Sequence, residues 1–366
     1  EQEQIIRHSG CRLIFVENDE LLERILTIRT RSGLPERLVV FETAGAGLTD
    51  GVSSFAELKK RGEAFDRHEP GRFDATWRAV KPGDIATIAY TSGTTGPPKG
   101  AVITHANLYF TAINAVKTQN LTADDFGIAY LPLTHMLQRV SVYAALHAGI
   151  RGVYAESIDK LIDNCRELKP TIQVGVPRVF EKIHARVMQV IDEGSPLRRR
   201  LFAWAMEAGR RSAPYRKAGR PLPLPLSIIH ALADRLVLAR IRGLFGGRVK
   251  HLISGSAPMA PELLEFYYAA GLLILEGYGL TETVAPVSVN RPGHFKFGSV
   301  GQLIDGIEAK LGEGNELLLR GRGLFRGYYR DPESTSQAID AEGWFYTGDI
   351  ARIDTEGFIT ITDRRK

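Results

Sequence analysis

Tyr90-Thr91-Ser92-Gly93-Thr94-Thr95-Gly96-Pro97-Pro98-Lys99-Gly100 is the stretch on which the reading of this sequence turns. It follows the apolar run Ile85–Tyr90, which reads as a buried strand. Consecutive hydroxyls and glycines place backbone N–H and side-chain O–H donors in one loop with little side-chain bulk. That is the chemistry of a polyphosphate cradle. Lys99 adds a compact positive charge for the same anion. The loop is not a Walker A motif. Counted from Gly93, the second glycine position holds Pro98, and Gly100 stands where the metal-binding Ser/Thr belongs. A Gly/Ser/Thr-rich surface turn is the competing reading, but so many specified positions are a far rarer accident than a lone glycine motif.

Around that loop lies an ordinary globular composition. The chain has 366 residues, of which 44% are hydrophobic and 24% charged, which excludes disorder, collagen and coiled coil. At ~150 residues per domain the length suggests two or three domains. The longest apolar stretch, Phe266 to Leu275, falls well short of the ~18 residues a membrane span needs. Two cysteines, Cys11 and Cys165, cannot build a disulfide framework and fit a reducing, cytoplasmic compartment. The start, Glu1-Gln2-Glu3-Gln4, is unlike a signal peptide. With no initiator Met, the expectation is a sequence that begins mid-protein.

Charge is unevenly spread. Residues 195–250 hold 13 Arg/Lys against Glu207 and Asp234, a local +11, while the remainder of the chain sums to −6. A segment of this kind is either a solvated helical surface or an attractor of phosphates, anionic lipid or nucleic acid.

Short apolar runs alternate with helical patterns. Arg12–Val16, Leu38–Phe41, Ile85–Tyr90, Gly127–Leu133, Gly152–Ala155, Ile172–Val176, Lys250–Ile253 and Leu272–Leu275 read as buried strands. Asp19–Arg29, Asn107–Asn120, Ile158–Leu168, Phe180–Ile191, Leu197–Ala213, Leu226–Leu244 and Pro261–Ala270 read as helices. The alternation predicts an α/β chain with two doubly wound, mostly parallel sheets and flanking helices. Past residue 296 the runs Ile307–Leu311, Glu316–Leu319, Trp344–Tyr346 and Phe358–Ile361 are short and separated by turn residues, which predicts a small antiparallel β subdomain. Gly194 to Leu226, rich in Arg and Pro, reads as an insertion on the surface. The expected division is 1–295, 296–362, and a hinge at 363–366.

The loop at 90–100 resembles the phosphate-binding signature of the adenylate-forming, or AMP-binding, superfamily. Further segments match that family in its order: Ser254-Gly255-Ser256-Ala257-Pro258 is similar to its adenine-side segment. Gly277-Tyr278-Gly279-Leu280-Thr281-Glu282-Thr283 is similar to its Y-G-x-T-E motif, Tyr346-Thr347-Gly348-Asp349 to its T-G-D motif, and Asp363-Arg364-Arg365-Lys366 to the start of its inter-domain hinge. The resemblance covers roughly residues 85–366. Members convert a carboxylate and ATP into an acyl-adenylate and pyrophosphate, and the synthetases then pass the acyl group to coenzyme A. The family's mobile C-terminal domain, with its catalytic lysine, would lie beyond this hinge, and the family has additional sequence before the region matching residue 1.

The resemblance implies roles residue by residue. Thr91, Ser92, Gly93, Thr94, Thr95, Gly96 and Lys99 would hold the phosphates. Glu282, with Thr91 nearby, would bind Mg²⁺. Tyr278 would pack on adenine beside Gly255, Ser256, Ala257, Pro258, Gly277 and Gly279, and Thr281 would hydrogen-bond the α-phosphate. Asp349 is suited to ribose hydroxyls, and Arg364 to ribose or phosphate. His135, in Leu131-Pro132-Leu133-Thr134-His135-Met136, would line the substrate entrance and position the acid without moving a proton. A core histidine is the competing reading there. For the others the competing readings are a capping or solvated Glu282, a core Tyr278, a turn Asp349 and a solvated Arg364.

Val176-Pro177-Arg178-Val179-Phe180-Glu181-Lys182-Ile183 and the helical stretch after it resemble long-chain fatty acid–CoA ligases in particular. Leu133-Thr134-His135-Met136 stands where amino-acid-activating members usually have F-D-x-S. The resemblance therefore implies a long-chain fatty acid, ATP and coenzyme A as partners, peripheral contact with anionic membrane through the basic segment, and no nucleic acid. The alternatives are an acyl-AMP or aryl-acid ligase with another acid or acceptor, such as a carrier protein, and a non-catalytic nucleotide or acyl binder.

Overall fold

The structure is a computed structural model that describes residues 1–43, 50–91 and 97–365. The chain divides into two compact units, Glu1–Val102 with Tyr328–Asp331, and Ile103–Gly327 with Pro332–Lys366.

The first unit opens with a parallel sheet of Leu13–Val16, Arg37–Val40 and Val52–Ser54. Helix Asp19–Ser32 starts where Asn18 accepts a hydrogen bond from the Leu21 N–H and ends at Gly33 in the left-handed region, as capping requires. Ser54 and Glu57 form a reciprocal cap on helix Phe55–His68. Ile6, Val16, Leu22, Ile25, Leu38, Val40 and Val52 form the core. Leu13 and Phe15 are exposed, so the first strand is covered on one face only and is not the buried strand expected. Farther along, Ile85–Thr91 pairs with Lys99–Thr104, inside which the unit boundary falls.

In the second unit, Phe126–Ala129 and Arg151–Tyr154 pair in parallel, joined through helix Met136–Ala148. Ile172–Gly175, His251–Ser254 and Ile274–Tyr278 form the parallel part of a five-stranded sheet, continued antiparallel by Ser288–Val289 and Gln302–Leu303. A four-stranded antiparallel sheet follows, built from Ile307–Leu311, Glu316–Gly321, Phe345–Ile353 and Ile359–Arg364. The chain is thus a mixed α/β protein with parallel sheets, flanking helices and an antiparallel β part near its end.

Three further expectations need correction. Gly194–Leu226 is not a surface insertion. Helix Pro196–Lys217 buries Phe202, Ala205, Met206, Ala208, Gly209 and Ser212, and most of these join Phe180, Leu264 and Tyr267 in a single large core cluster. Its arginines at 198–200, 210 and 211 are exposed and hide the apolar stripe from a composition count, while Arg216 turns inward onto Ser212 and the Tyr268 carbonyl. Leu226–Leu244 is not one α-helix either. Helix Leu224–Ala233 passes through a π-helical turn, Asp234–Leu238, into Ala239–Gly243; within it Asp234 and Arg242 pair at 2.6 Å. Finally, Arg151–Tyr154 is an edge strand whose Tyr154 is exposed.

Candidate nucleotide and acyl site

The carboxyl ends of the parallel strands in the second unit are where an open α/β sheet presents ligand-binding loops. His251–Ser254 runs into Gly255-Ser256, and Ile274–Tyr278 runs into Gly279-Leu280-Thr281. Together with His135, Met136 and Leu137 these residues line a cleft of about 210 Å³. Of the residues singled out from the sequence, the structure brings His135, Gly255, Ser256, Gly277, Tyr278, Gly279 and Thr281 to this one cleft. Ala257 and Pro258 lie just past the turn, exposed and outside the lining.

The backbone shows why small residues stand here. A Cβ on Gly279 would fall 2.7 Å from the Ala285 Cα and 2.8 Å from its Cβ. On Gly255 it would meet Leu137 at 3.3 Å, and on Gly277 it would meet Val289 at 3.3 Å. Ser256 and Val284 adopt the left-handed region, with φ of 75° and 54°. That is uncommon for Ser and a genuine outlier for a β-branched residue, and such strain clusters at functional sites. The turn is closed by Thr283, fully buried, whose Oγ1 accepts from the Leu280 N–H at 2.9 Å. This holds Thr281 on the cleft and Glu282, half-buried, directly after it. Ser254 Oγ, buried in the cleft wall, has no hydrogen-bond partner among the described residues. The serine at a strand end was the signal available for it in the sequence.

Behind the cleft, Tyr278 Oη donates to Asp349 Oδ2 at 2.5 Å, and Arg364 Nε approaches Asp349 Oδ1 at 3.7 Å. Burial raises the Asp349 carboxyl above its usual range, against the opposing pull of the Tyr278 hydroxyl and the Arg364 charge. Burial and the neighbouring carboxylate likewise push the Tyr278 hydroxyl well up. Glu316, buried and not singled out by sequence reasoning, accepts from the Gly348 N–H at 3.0 Å and from Arg365 at 2.6 Å. It fixes the Thr347–Asp349 turn from below. Tyr278 lines the cleft, while Asp349, bonded to its hydroxyl, is buried and outside the lining. His135 is exposed at the start of helix Met136–Ala148, which removes the core-histidine reading.

The first unit holds the lysine of the Ser/Thr/Gly loop. Lys99 begins its strand with Nζ 5.3 Å from the centre of the Tyr328 ring. Thr91 Oγ1 donates to the Lys99 carbonyl at 3.5 Å. A Cβ on Gly100 would lie 2.7 Å from Ile88, so this glycine answers to packing. Ser92, Gly93, Thr94, Thr95, Gly96 and Lys366 lie outside the described residues.

A second, larger cavity of about 350 Å³ adjoins the cleft in the second unit and shares Leu137, Ile253, Pro286 and Val289 with it. Its walls include Ile128, Val140, Ala144, Val153, Ile172 and Val174, and its polar lining side chains are Thr118, Gln119, Gln138, Ser141, Arg151 and Tyr154. Sequence reasoning missed this wall because helix Met136–Ala148 is apolar nearly all round and lacks the polar face that marks a helical period.

Comparison with known proteins gives a consistent picture. The family model for the AMP-binding enzyme matches residues 1–329. A long-chain-fatty-acid–CoA ligase, FadD15, of Mycobacterium bovis is 34% identical over 364 residues, covering 99% of this chain and 58% of that protein. The peroxisomal long chain acyl-CoA synthetase 6 of Arabidopsis thaliana is 34% identical over 331 residues, covering 86% of this chain and 45% of that protein. This chain therefore spans about half the length of the curated relatives it matches. Among solved structures, the anthranilate CoA ligase AuaEII in complex with anthranoyl-AMP aligns with a TM-score of 0.70 at 22% identity, over 100% of this chain and 61% of that one. That likeness bears on the fold.

Proposed function

The chain belongs to the AMP-binding enzyme family, and from that premise we propose that it is part of an ATP-dependent long-chain fatty acid–CoA ligase. The single observation that carries the choice of acid is the apolar cavity that adjoins the strand-end cleft and shares Leu137, Ile253, Pro286 and Val289 with it. A fatty acid with its carboxylate in the cleft and its chain in the cavity would gain ~0.8 kcal/mol for each buried CH₂. Nothing in the cavity wall offers a carboxylate to anchor an amino group.

In the proposed reaction the ionised carboxylate attacks the α-phosphorus of ATP. A carboxylate–phosphorus bond forms and the bond to the leaving pyrophosphate breaks. No general base is required, so the barrier is charge repulsion and geometry. Tyr278 presents a flat face for adenine, with Gly255, Ser256, Gly277 and Gly279 leaving it room. Asp349 and Arg364 would serve the ribose, Thr281 the α-phosphate, and His135 the entrance at which the acid is placed. Lys99 and the loop Thr91–Gly96 would neutralise the phosphates. Mg²⁺, when bound, would screen the phosphate charge, with Glu282 and Thr91 as its protein ligands. Among the described residues no three His, Cys, Asp or Glu side chains gather to hold a metal. The coenzyme A thiolate would then attack the acyl carbon and release AMP. Residues 1–295 would form the α/β lobes, 296–362 the β-rich subdomain, and 363–366 the start of a hinge. The two free cysteines, Cys165 buried, fit a cytoplasmic protein.

The test is pyrophosphate release by the protein containing this chain, with ATP·Mg²⁺ and acids from acetate to oleate, with and without coenzyme A. Release dependent on a long-chain acid, followed by thioester on adding coenzyme A, is the expected result. Acyl-adenylate that accumulates without passing to coenzyme A would assign it to carrier-protein loading. ATP binding without release for any acid would leave only a nucleotide binder.

A further inference from the structure

Helix Leu224–Ala233 turns an apolar face to solvent. Leu224, Ile228 and Leu232 are 80%, 70% and 51% exposed, and at spacing i, i+4, i+8 they form one stripe about 12 Å long. Pro225 and Ala231 extend it, and Ser227 is the single polar exposed residue in the helix. The opposite face, Leu226 and Ala233, is buried. Exposed Arg220 lies in the non-helical segment just ahead of the helix, and exposed Arg235 lies in the π-helical turn that continues it. Both belong to the segment 195–250 with its net +11. Its two acidic residues are already engaged: Glu207 by Arg210 at 3.0 Å and Asp234 by Arg242 at 2.6 Å. The flanking cations therefore face outward without acidic counter-charge from their own segment.

We propose that this helix face docks on an anionic lipid bilayer, the stripe entering the interface and Arg220 and Arg235 meeting the headgroups. An apolar stripe flanked by arginines is the pattern of an interfacial helix, whose binding combines buried apolar area with attraction to anionic lipid. The charge selects the lipid, and the size of the patch argues against a protein. Three large side chains fall well short of the ~800 Å² that each partner of a stable complex buries. Nucleic acid would use the charge and leave the stripe in water. The inference stands on this surface alone and does not rest on the ligase reading.

The experiment is flotation of the whole protein containing this chain with vesicles of phosphatidylcholine alone and of equal parts phosphatidylcholine and phosphatidylglycerol. The expected result is binding to the anionic vesicles, weak binding to neutral ones, and loss at about 1 M salt, where charge attraction is screened. Ile228→Ser with Leu232→Ser should weaken binding roughly tenfold or more. Arg220→Ala with Arg235→Ala should weaken it at low salt only, which keeps the test standing if the first pair fails to fold. Acyl-adenylate formation on a short soluble acid should be unchanged in both, so failure of the lipid contact and failure of the ligase reading are read separately. No binding to anionic vesicles, binding indifferent to both pairs, or binding to duplex DNA through the same arginines would overturn the proposal.

Discussion

Gly279 carries the sharpest steric demand in the cleft. Its place after strand Ile274–Tyr278 leaves 2.7 Å between a would-be Cβ and the Ala285 Cα, which is backbone and cannot swing aside. Gly279→Ala should cost about 1–3 kcal/mol of stability and should displace Thr281, so affinity for ATP falls as well. Chemical denaturation and ATP titration would check both; a variant with wild-type midpoint and affinity would remove the steric account. The glycines and hydroxyls of this turn were legible in the sequence because their type and order are the chemistry. Glu316 was not. It is a buried carboxylate under the Gly348 turn and gains meaning only from neighbours distant in sequence.

At the scale of elements, the strands read most clearly where a short apolar run is bounded by Gly or charge. Ile307–Leu311 falls on the residues expected, and the parallel strands of the cleft lie within a few residues of expectation. Helix Pro196–Lys217 shows where composition misleads. Its many arginines suggested a surface insertion, yet Gly209 packs so closely that a Cβ there would lie 2.3 Å from the Ala269 carbonyl oxygen. If this helix is core, Phe202→Ala should destabilise the second unit by about 3–5 kcal/mol. A loss within about 0.5 kcal/mol, measured by denaturant unfolding, would return the segment to the surface. The π-helical turn at Asp234–Leu238 escaped the sequence because its hydrogen-bond register leaves no compositional mark.

For the molecule as a whole, the stability of the second unit should depend on pH through His251. Burial lowers its pKa to about 4, with Asp125 opposing and Lys250 assisting, and its Nε2 has no partner among the described residues. An unfolded histidine titrates near 6.5. Below that value the unfolded chain takes a proton that the folded chain refuses. Stability is therefore complete above about pH 6.5 and falls by about 3 kcal/mol as pH drops to about 4. His251→Gln should flatten this slope in denaturant midpoints taken from about pH 7 to about pH 4.5, and an unchanged slope would assign the loss to other groups. Among the described residues no helix is long and apolar enough to cross a membrane.

Helix Met136–Ala148 walls the cavity proposed to receive the acyl chain. Ala144, buried on that wall, gives the most direct test: the chain-length profile of acyl-adenylate formation for the wild type and for Ala144→Leu, in the protein containing this chain. The expected result is a wild-type optimum among long chains and a shift of that optimum to shorter acids in the variant, with stability kept because a void is filled. A folded, active Ala144→Leu protein whose profile coincides with the wild type would contradict it.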